Sequence, residues 1–256
     1  MEIANKIAIV TGAASGLGRA TCVKLLTKGA RVAAFDLKEP PGEAPGEVNR
    51  NYMFEAVDVA DEANVAAAIS KVVDAFGAVH AVVNCAGVVD AAKTISKGEP
   101  FPLATWNKVI GINLTGTFNL IRFGSLVMSR NEPEPASGER GVIVNTASGA
   151  AWQGQVGQAA YSASKAGVMG MTLPVARDLA GVGIRVVSIA PGMFNTAMAS
   201  GLPQKVLDTI VERMILFPNR MGEPNEFAAL AAHIIENSYL NATTISLDGG
   251  VRISTR

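Results

Sequence analysis

The chain has few residues of the kinds that build metal centres or disulfide scaffolds. It carries two cysteines, Cys22 and Cys85, and two histidines, His80 and His233, among 256 residues. Neither histidine sits in a spacing that gathers metal ligands, so no metal site is expected. Cys22 falls in a predicted helix and Cys85 at a strand end. Two such thiols suit a reducing compartment and read as small buried apolar residues rather than a disulfide. Neither sign of charge is in excess, since Lys plus Arg and Asp plus Glu number 22 each. No global field therefore points to nucleic acid or to an anionic membrane. No run of eighteen apolar residues occurs, and the first predicted strand begins within a few residues of Met1. Neither a membrane span nor a leader peptide is expected, and the default is a soluble cytoplasmic protein.

Apolar residues are abundant: 49% of the chain is hydrophobic and 17% charged. That surplus is read as oligomer interface. Strand patterns recur near 6–11, 30–36, 52–57, 79–84, 141–147, 184–190 and 243–248, separated by helical stretches at 16–28, 61–76, 103–130, 160–181 and 224–236. Continuous apolar runs such as Ala81-Val82-Val83 and Val142-Ile143-Val144 belong in the buried middle of a sheet. Alternation of strand and helix predicts an α/β fold: one Rossmann-type domain over 1–256, with a doubly wound, parallel, seven-stranded sheet and helices on both faces. Segments 38–51 and 131–140 read as surface loops, and neither a linker nor an internal repeat is visible.

The first strand runs into Thr11-Gly12-Ala13-Ala14-Ser15-Gly16-Leu17-Gly18 and then a helix. Strand, glycine turn and helix form a phosphate cradle: Gly12 allows the tight turn, Gly16 lets the backbone approach a pyrophosphate, and Gly18 lets helix pack on strand. The free N–H groups of the helix start, with Ser15 and Leu17 in the turn, attract the anion. Asp36 closes the next strand, where a carboxylate accepts hydrogen bonds from ribose hydroxyls and repels a 2′-phosphate. With Leu37 rather than a basic residue after Asp36, and Ser15 rather than Arg or Lys before Gly16, NAD is expected over NADP.

Ligands of open parallel sheets bind beyond the carboxyl ends of the strands. The candidates there are Asp58 and Val59 after the third strand, Asn84, Ala86 and Gly87 after the fourth, Ser148 after the fifth, and Pro191 with Thr196 after the sixth. Asn113 is a polar residue in an apolar helical stretch. Tyr161 and Lys165 stand four apart, on one face of a helix. An ammonium beside a phenol favours the phenolate and should draw the tyrosine below its free pKa of ~10, into reach of proton exchange with an alcohol. Ser148 would hold the substrate oxygen.

Taken together, these motifs resemble those of the short-chain dehydrogenase/reductase family along the whole chain. The resemblance implies a catalytic tetrad of Asn113, Ser148, Tyr161 and Lys165, with Tyr161 as general acid/base, Ser148 orienting the substrate, Lys165 on the nicotinamide ribose and Asn113 holding a water of a proton relay. It also implies Asp58 and Val59 at adenine, Asn84 and Ala86 on the adenosine side, and Pro191 with Thr196 at the nicotinamide end. Arg140 to Ser148, Gly154 to Lys165, Met171-Thr172-Leu173-Pro174 and Phe217-Pro218 look like the type II 3-hydroxyacyl-CoA dehydrogenase branch. That likeness implies an acyl-CoA substrate, or a hydroxysteroid or other secondary alcohol, and a homotetramer with helices 103–130 and 160–181 in its interfaces. A non-catalytic NAD-binding subunit of a partner complex is the reading of another class. Loop 91–102, with Lys93 and Lys97, resembles an insertion of the branch and would lie near coenzyme A phosphates. Segment 194–217, with Met198, Leu202, Val206, Leu207, Ile210, Met214 and Ile215, is expected to cover the substrate as an apolar flap. Trp152-Gln153 departs from the branch, where a phenylalanine and an acid are expected.

Overall fold

The computed structural model of the chain describes residues 1–39, 50–197 and 204–252. In chain order they form β1 (Ile7–Thr11), α1 (Gly16–Thr27), β2 (Arg31–Asp36), β3 (Tyr52–Ala56), α2 (Glu62–Phe76), β4 (Ala81–Asn84), a hairpin of β5 (Ile95–Ser96) and β6 (Glu99–Pro100), and α3 (Leu103–Ile110). A π-helical stretch (Gly111–Gly116) then leads into α4 (Thr117–Met128), β7 (Gly141–Thr146), α5 (Ala150–Gln153), α6 (Ala159–Ala180), β8 (Ile184–Pro191), α7 (Gln204–Met214), α8 (Pro224–Glu236) and β9 (Thr243–Leu247).

The main sheet has the order β3-β2-β1-β4-β7-β8-β9, with every pairing parallel. Strands β1, β4, β7 and β8 are buried along their whole length, as β-branched runs covered on both faces must be. Side chains alternate across the sheet. Val10, Val83, Val144 and Val187 pack with Leu25 of α1 and Phe227 and Ile234 of α8. Ile9, Val82, Ile143 and Val186 pack on the other face with Val65 and Ile69 of α2, Leu120 and Met128 of α4, and Ala176 of α6. After β3 the chain crosses back to place β4 beside β1, so strand order reverses there and a crevice opens at the carboxyl ends of both strands.

The strand expectations hold within two residues at each end, the range over which hydrogen-bond definitions themselves vary. Three expectations change. The helix expected over 103–130 is interrupted by the π-helical stretch. Segment 91–102, expected as a loop, carries a two-stranded hairpin. Segment 131–140 is more than a surface loop: Glu139 is buried against Arg185, and the Asn131 amide donates to the carbonyls of Val79 and Arg140. Of the expected flap, Met198 and Leu202 lie outside the described residues, as does 40–49 of the loop 38–51. Ile210 and Ile215 are buried with Val251, flanked by Met193, Val211 and Met214.

Candidate active site

The glycine turn is built as its sequence requires. Gly12 and Gly16 adopt φ of 64° and 51°, the left-handed region that side chains disfavour. A Cβ on Gly18 would stand 2.2 Å from the Gly12 carbonyl oxygen, so helix and turn close only around a hydrogen. The Thr11 hydroxyl accepts from the N–H groups of Cys85 and Ala86, both at 3.0 Å, and joins the ends of β1 and β4. The first turn of α1 has neither an acidic residue nor a side-chain cap at Ser15, which leaves its amides for an anion. Thr196, after β8, folds onto this turn, with its Cγ2 3.3 Å from where a Cβ on Gly16 would be.

Asp36 faces the turn: Oδ2 accepts from Ala14 N at 2.9 Å and Oδ1 from Leu37 N at 2.7 Å. The Asp58 Oδ1 accepts from Ala60 N, while Val59 is buried against Gly116 and its carbonyl accepts from Asn119. Asn84 closes β4. Its amide is buried and donates to Asn145 Oδ1 at 2.9 Å across β4 and β7. Gly87 is narrow for a reason, because a Cβ there would come within 3.2 Å of Asn113 Oδ1 and 3.5 Å of Lys165 Nζ.

These last two residues converge with Ser148 and Tyr161. Asn113 sits in the π-helical stretch, where Oδ1 accepts from Val88 N at 2.8 Å and Nδ2 donates to Val88 O at 2.9 Å and to Ser164 Oγ at 3.1 Å. Ser164 in turn donates to the Tyr161 carbonyl at 2.7 Å. Lys165 Nζ donates to Thr146 O at 2.8 Å and lies 5.8 Å from the centre of the Tyr161 ring. The Ser148 hydroxyl oxygen accepts from Ala150 N at 3.1 Å, and the hydroxyl acts on the Tyr161 phenol in the sense that favours its ionised form. Pro191 O accepts from Gly149 N at 3.1 Å, which fixes the loop after Ser148 to the end of β8. Sequence reasoning gave no role to Thr11, Asn145, Thr146 or Ser164, although all four lay within the motifs it quoted, because the hydrogen bonds by which they position these groups leave no spacing signal.

Burial pushes the Tyr161 phenol up, against the lowering effect of the Ser148 hydrogen bond. Burial brings the Lys165 ammonium down to about 8. The expected lowering of the phenol by the ammonium is therefore not met in this geometry, because Nζ is directed at Thr146 O and desolvation of the phenolate dominates. Burial also pushes Cys85 up to about 12 and Cys22 upward. Both cysteines are free, and neither is an activated nucleophile. Among the described residues no group of three metal-binding side chains assembles, and no helix is long and apolar enough to cross a membrane.

A glycine cradle, an acid closing the second strand and a buried Tyr-Lys pair at the carboxyl edge of a parallel sheet define a dinucleotide-linked oxidoreductase. Residues 6–206 match the short chain dehydrogenase family model, and the chain belongs to that family, whose dehydrogenases work with a nicotinamide cofactor. It is 48% identical over 255 residues to the human 3-hydroxyacyl-CoA dehydrogenase type-2, spanning 98% of this chain and 97% of that one. The protein of that name from Drosophila melanogaster is 50% identical over 254 residues, spanning 98% and 99%. The crystal structure of 3-hydroxyacyl-CoA dehydrogenase type-2 from Mycobacterium avium superposes with a TM-score of 0.91 at 36% identity, covering 98% of both chains.

Proposed function

We propose that this chain is an NAD-dependent dehydrogenase that interconverts L-3-hydroxyacyl-CoA and 3-ketoacyl-CoA. The observation that carries the proposal is the convergence of Ser148, Tyr161, Lys165 and Asn113 beside the glycine turn, in a chain alike from end to end to dehydrogenases of that name. The cradle fits a dinucleotide: Gly12, Ser15, Gly16, Leu17 and Gly18 would take the pyrophosphate, Asp36 the adenosine ribose, Asp58 and Val59 the adenine, and Ala86, Gly87, Pro191 and Thr196 the remainder. Asn84 would act from behind, by tying β4 to β7. Asp36 followed by Leu37 favours NAD, since a 2′-phosphate there would meet a carboxylate, and Arg19 and Lys38 do not occupy the position directly after it.

When bound, the nicotinamide accepts or gives hydride at the carbon bearing the substrate oxygen. Tyr161 takes the hydroxyl proton in oxidation and returns one in reduction. Ala150 N donates to the Ser148 oxygen, and the serine hydroxyl, set beside the Tyr161 phenol, would orient the substrate oxygen. Lys165 has donors beyond the one spent on Thr146 O and would hold the nicotinamide ribose, while Asn113 keeps the Val88 backbone and Ser164 in place. The hairpin of β5 and β6 docks through Ala92 N to Gly157 O at 3.0 Å, four residues before Tyr161, and its exposed Lys93 and Lys97 would meet coenzyme A phosphates. Phe118 and Leu126 on α4 and Leu173 on α6 are 45%, 52% and 42% exposed, consistent with a homotetramer packed through these helices.

The deciding experiment follows oxidation of NADH by acetoacetyl-CoA beside a panel of ketosteroids and simple ketones, with NADPH as control. Strong turnover of acetoacetyl-CoA with NADH alone is the expected result. Turnover confined to steroids or ketones would overturn the acyl-CoA assignment, and binding of NADH without turnover would replace the enzyme reading with that of a cofactor-binding subunit.

A further inference from the structure

The short helix α5 begins two residues after Ser148, with Ala150 N donating to Ser148 Oγ at 3.1 Å and Gln153 N donating to Gly149 O at 3.1 Å. The Gln153 side chain crosses Gly149, where its Nε2 lies 3.2 Å from the position a Cβ would take. It then leaves the catalytic loop altogether and donates to the Val251 carbonyl at 3.1 Å, nearly a hundred residues away in sequence. Val251 belongs to a turn that is locked to the end of α7. Leu216 N and Phe217 N both donate to Gly249 O at 3.1 Å, and Arg252 N donates to Met214 O at 3.0 Å. Gly249 and Gly250 hold φ of 58° and 75°, and a Cβ on Gly250 would stand 2.9 Å from Leu216 Cδ1. The Val251 side chain is buried with Ile210 and Ile215. The turn after β9 is thus one packed unit with the end of α7, and the Gln153 amide joins that unit to the Ser148 loop.

We propose that Gln153 is a positioning residue that sets the seat of the substrate-covering helix α7 against the catalytic loop through the Val251 carbonyl. The inference rests on the dehydrogenase reading above and on the expectation that segment 194–217, to which α7 belongs, covers the substrate. The chemistry requires a donor at this position. An amide supplies an N–H to the carbonyl oxygen, whereas an ionised carboxylate would set oxygen against oxygen. A carboxylic acid supplies the donor again once protonated. The departure at Gln153 from the acid expected in the branch therefore makes the clamp independent of pH, where an acid would loosen it on ionising.

Two variants test this, Gln153→Ala and Gln153→Glu, each read against the wild type at every pH. The titratable or charged groups on the surrounding elements are Tyr161, Lys165, Arg177 and Asp178 on α6, Asp248 and Arg252 in the turn, and Lys205, Asp208, Glu212 and Arg213 on α7. All are shared by the three proteins, so the wild-type profile is the baseline. Gln153→Ala should raise KM for acetoacetyl-CoA about tenfold, the loss of one hydrogen bond, with kcat and NADH affinity little changed. Gln153→Glu should match the wild type at low pH, where the introduced carboxyl is protonated, and show a rising KM as pH climbs through the ordinary carboxyl value of ~4.3. Hydrogen exchange at the amides of Leu216, Phe217 and Arg252 should accelerate in parallel, and this readout needs no substrate. If the wild type fails to turn over acetoacetyl-CoA, the substrate reading falls while the exchange ratio still decides the clamp. Unchanged exchange and KM in both variants would overturn it, as would a fall in kcat with a rise in KM that is alike in the two variants and indifferent to pH.

Discussion

Burial acts on Tyr161 and Lys165 in opposite senses, raising the phenol and bringing the ammonium down to about 8. Reduction needs the tyrosine protonated and, in the proposed mechanism, the lysine charged; both conditions hold below about pH 8. We expect kcat/KM for acetoacetyl-CoA reduction to be level below that point and to fall above it as Lys165 loses its proton. A profile that stays level well beyond it would show that the ammonium does not serve the reaction. Tyr161→Phe keeps the ring and removes the transferable proton, so turnover should drop by about 10²-fold or more while NADH binding, followed by fluorescence, is retained. Tyr161 and Lys165 stood out by their spacing, and Ser148 and Asp36 by their places at strand ends, whereas Asn113 entered the tetrad only through the family resemblance. The direction of the Tyr161 shift was not legible, because it depends on where Nζ points, and Thr146 O draws it away from the phenol.

At the scale of elements, β1 and β4 are joined at both ends. Thr11 closes the carboxyl end, and at the other His80 Nδ1 accepts from Ile7 N at 3.2 Å while His80 N donates to Ile7 O at 2.8 Å. Burial first, and Lys6 second, lower the His80 pKa to about 4. Its ordinary value in the unfolded chain is ~6.5, so between these two values the unfolded state binds the extra proton. The stability His80 confers is therefore fully present above about pH 6.5 and is lost as pH falls toward about 4. A His80→Ala variant should be less stable than the wild type at neutral pH and should show a flatter decline of the urea midpoint across that window. If the two declines run parallel, the neutral imidazole is not what holds these strands. The strands themselves were legible in their unbroken apolar runs. The π-helical stretch was not, since Asn113 among Ile112 and Leu114 looks the same in an α-helix until its partners, Val88 and Ser164, are placed.

For the molecule as a whole, the far edge of the sheet depends on one buried cation. Arg185 in β8 donates to the carbonyls of Ile234, Ile235 and Leu240 around the end of α8 and through Nε to Glu139 Oε1 at 2.8 Å, while the amino nitrogen of Met1 lies 3.0 Å from Glu139 Oε2. Arg185→Met leaves those carbonyls and part of the carboxylate without donors, and should cost about 3–5 kcal/mol of stability, read as a fall in the urea midpoint; a change near zero would mean that water replaces the guanidinium. Neither partner was legible, because a pair so distant in sequence has no periodicity to betray it, and Glu139 sat in a Pro- and Glu-rich segment that reads as solvent-facing. The wide turn at Gly111–Gly116 bears on the molecule in another way. It holds Asn113 toward Val88 on one side and hands α4 onward with Leu120, Ile121 and Met128 against the sheet. The extra residue taken up by the wide turn lets Asn113 reach Val88 while α4 stays in phase with the sheet. Removing one residue there would let the turn close to an ordinary helix, with the core stripe of α4 still on the sheet and the seat of the asparagine lost. A deletion of one residue should therefore disable the site as loss of Asn113 does while leaving the fold in place.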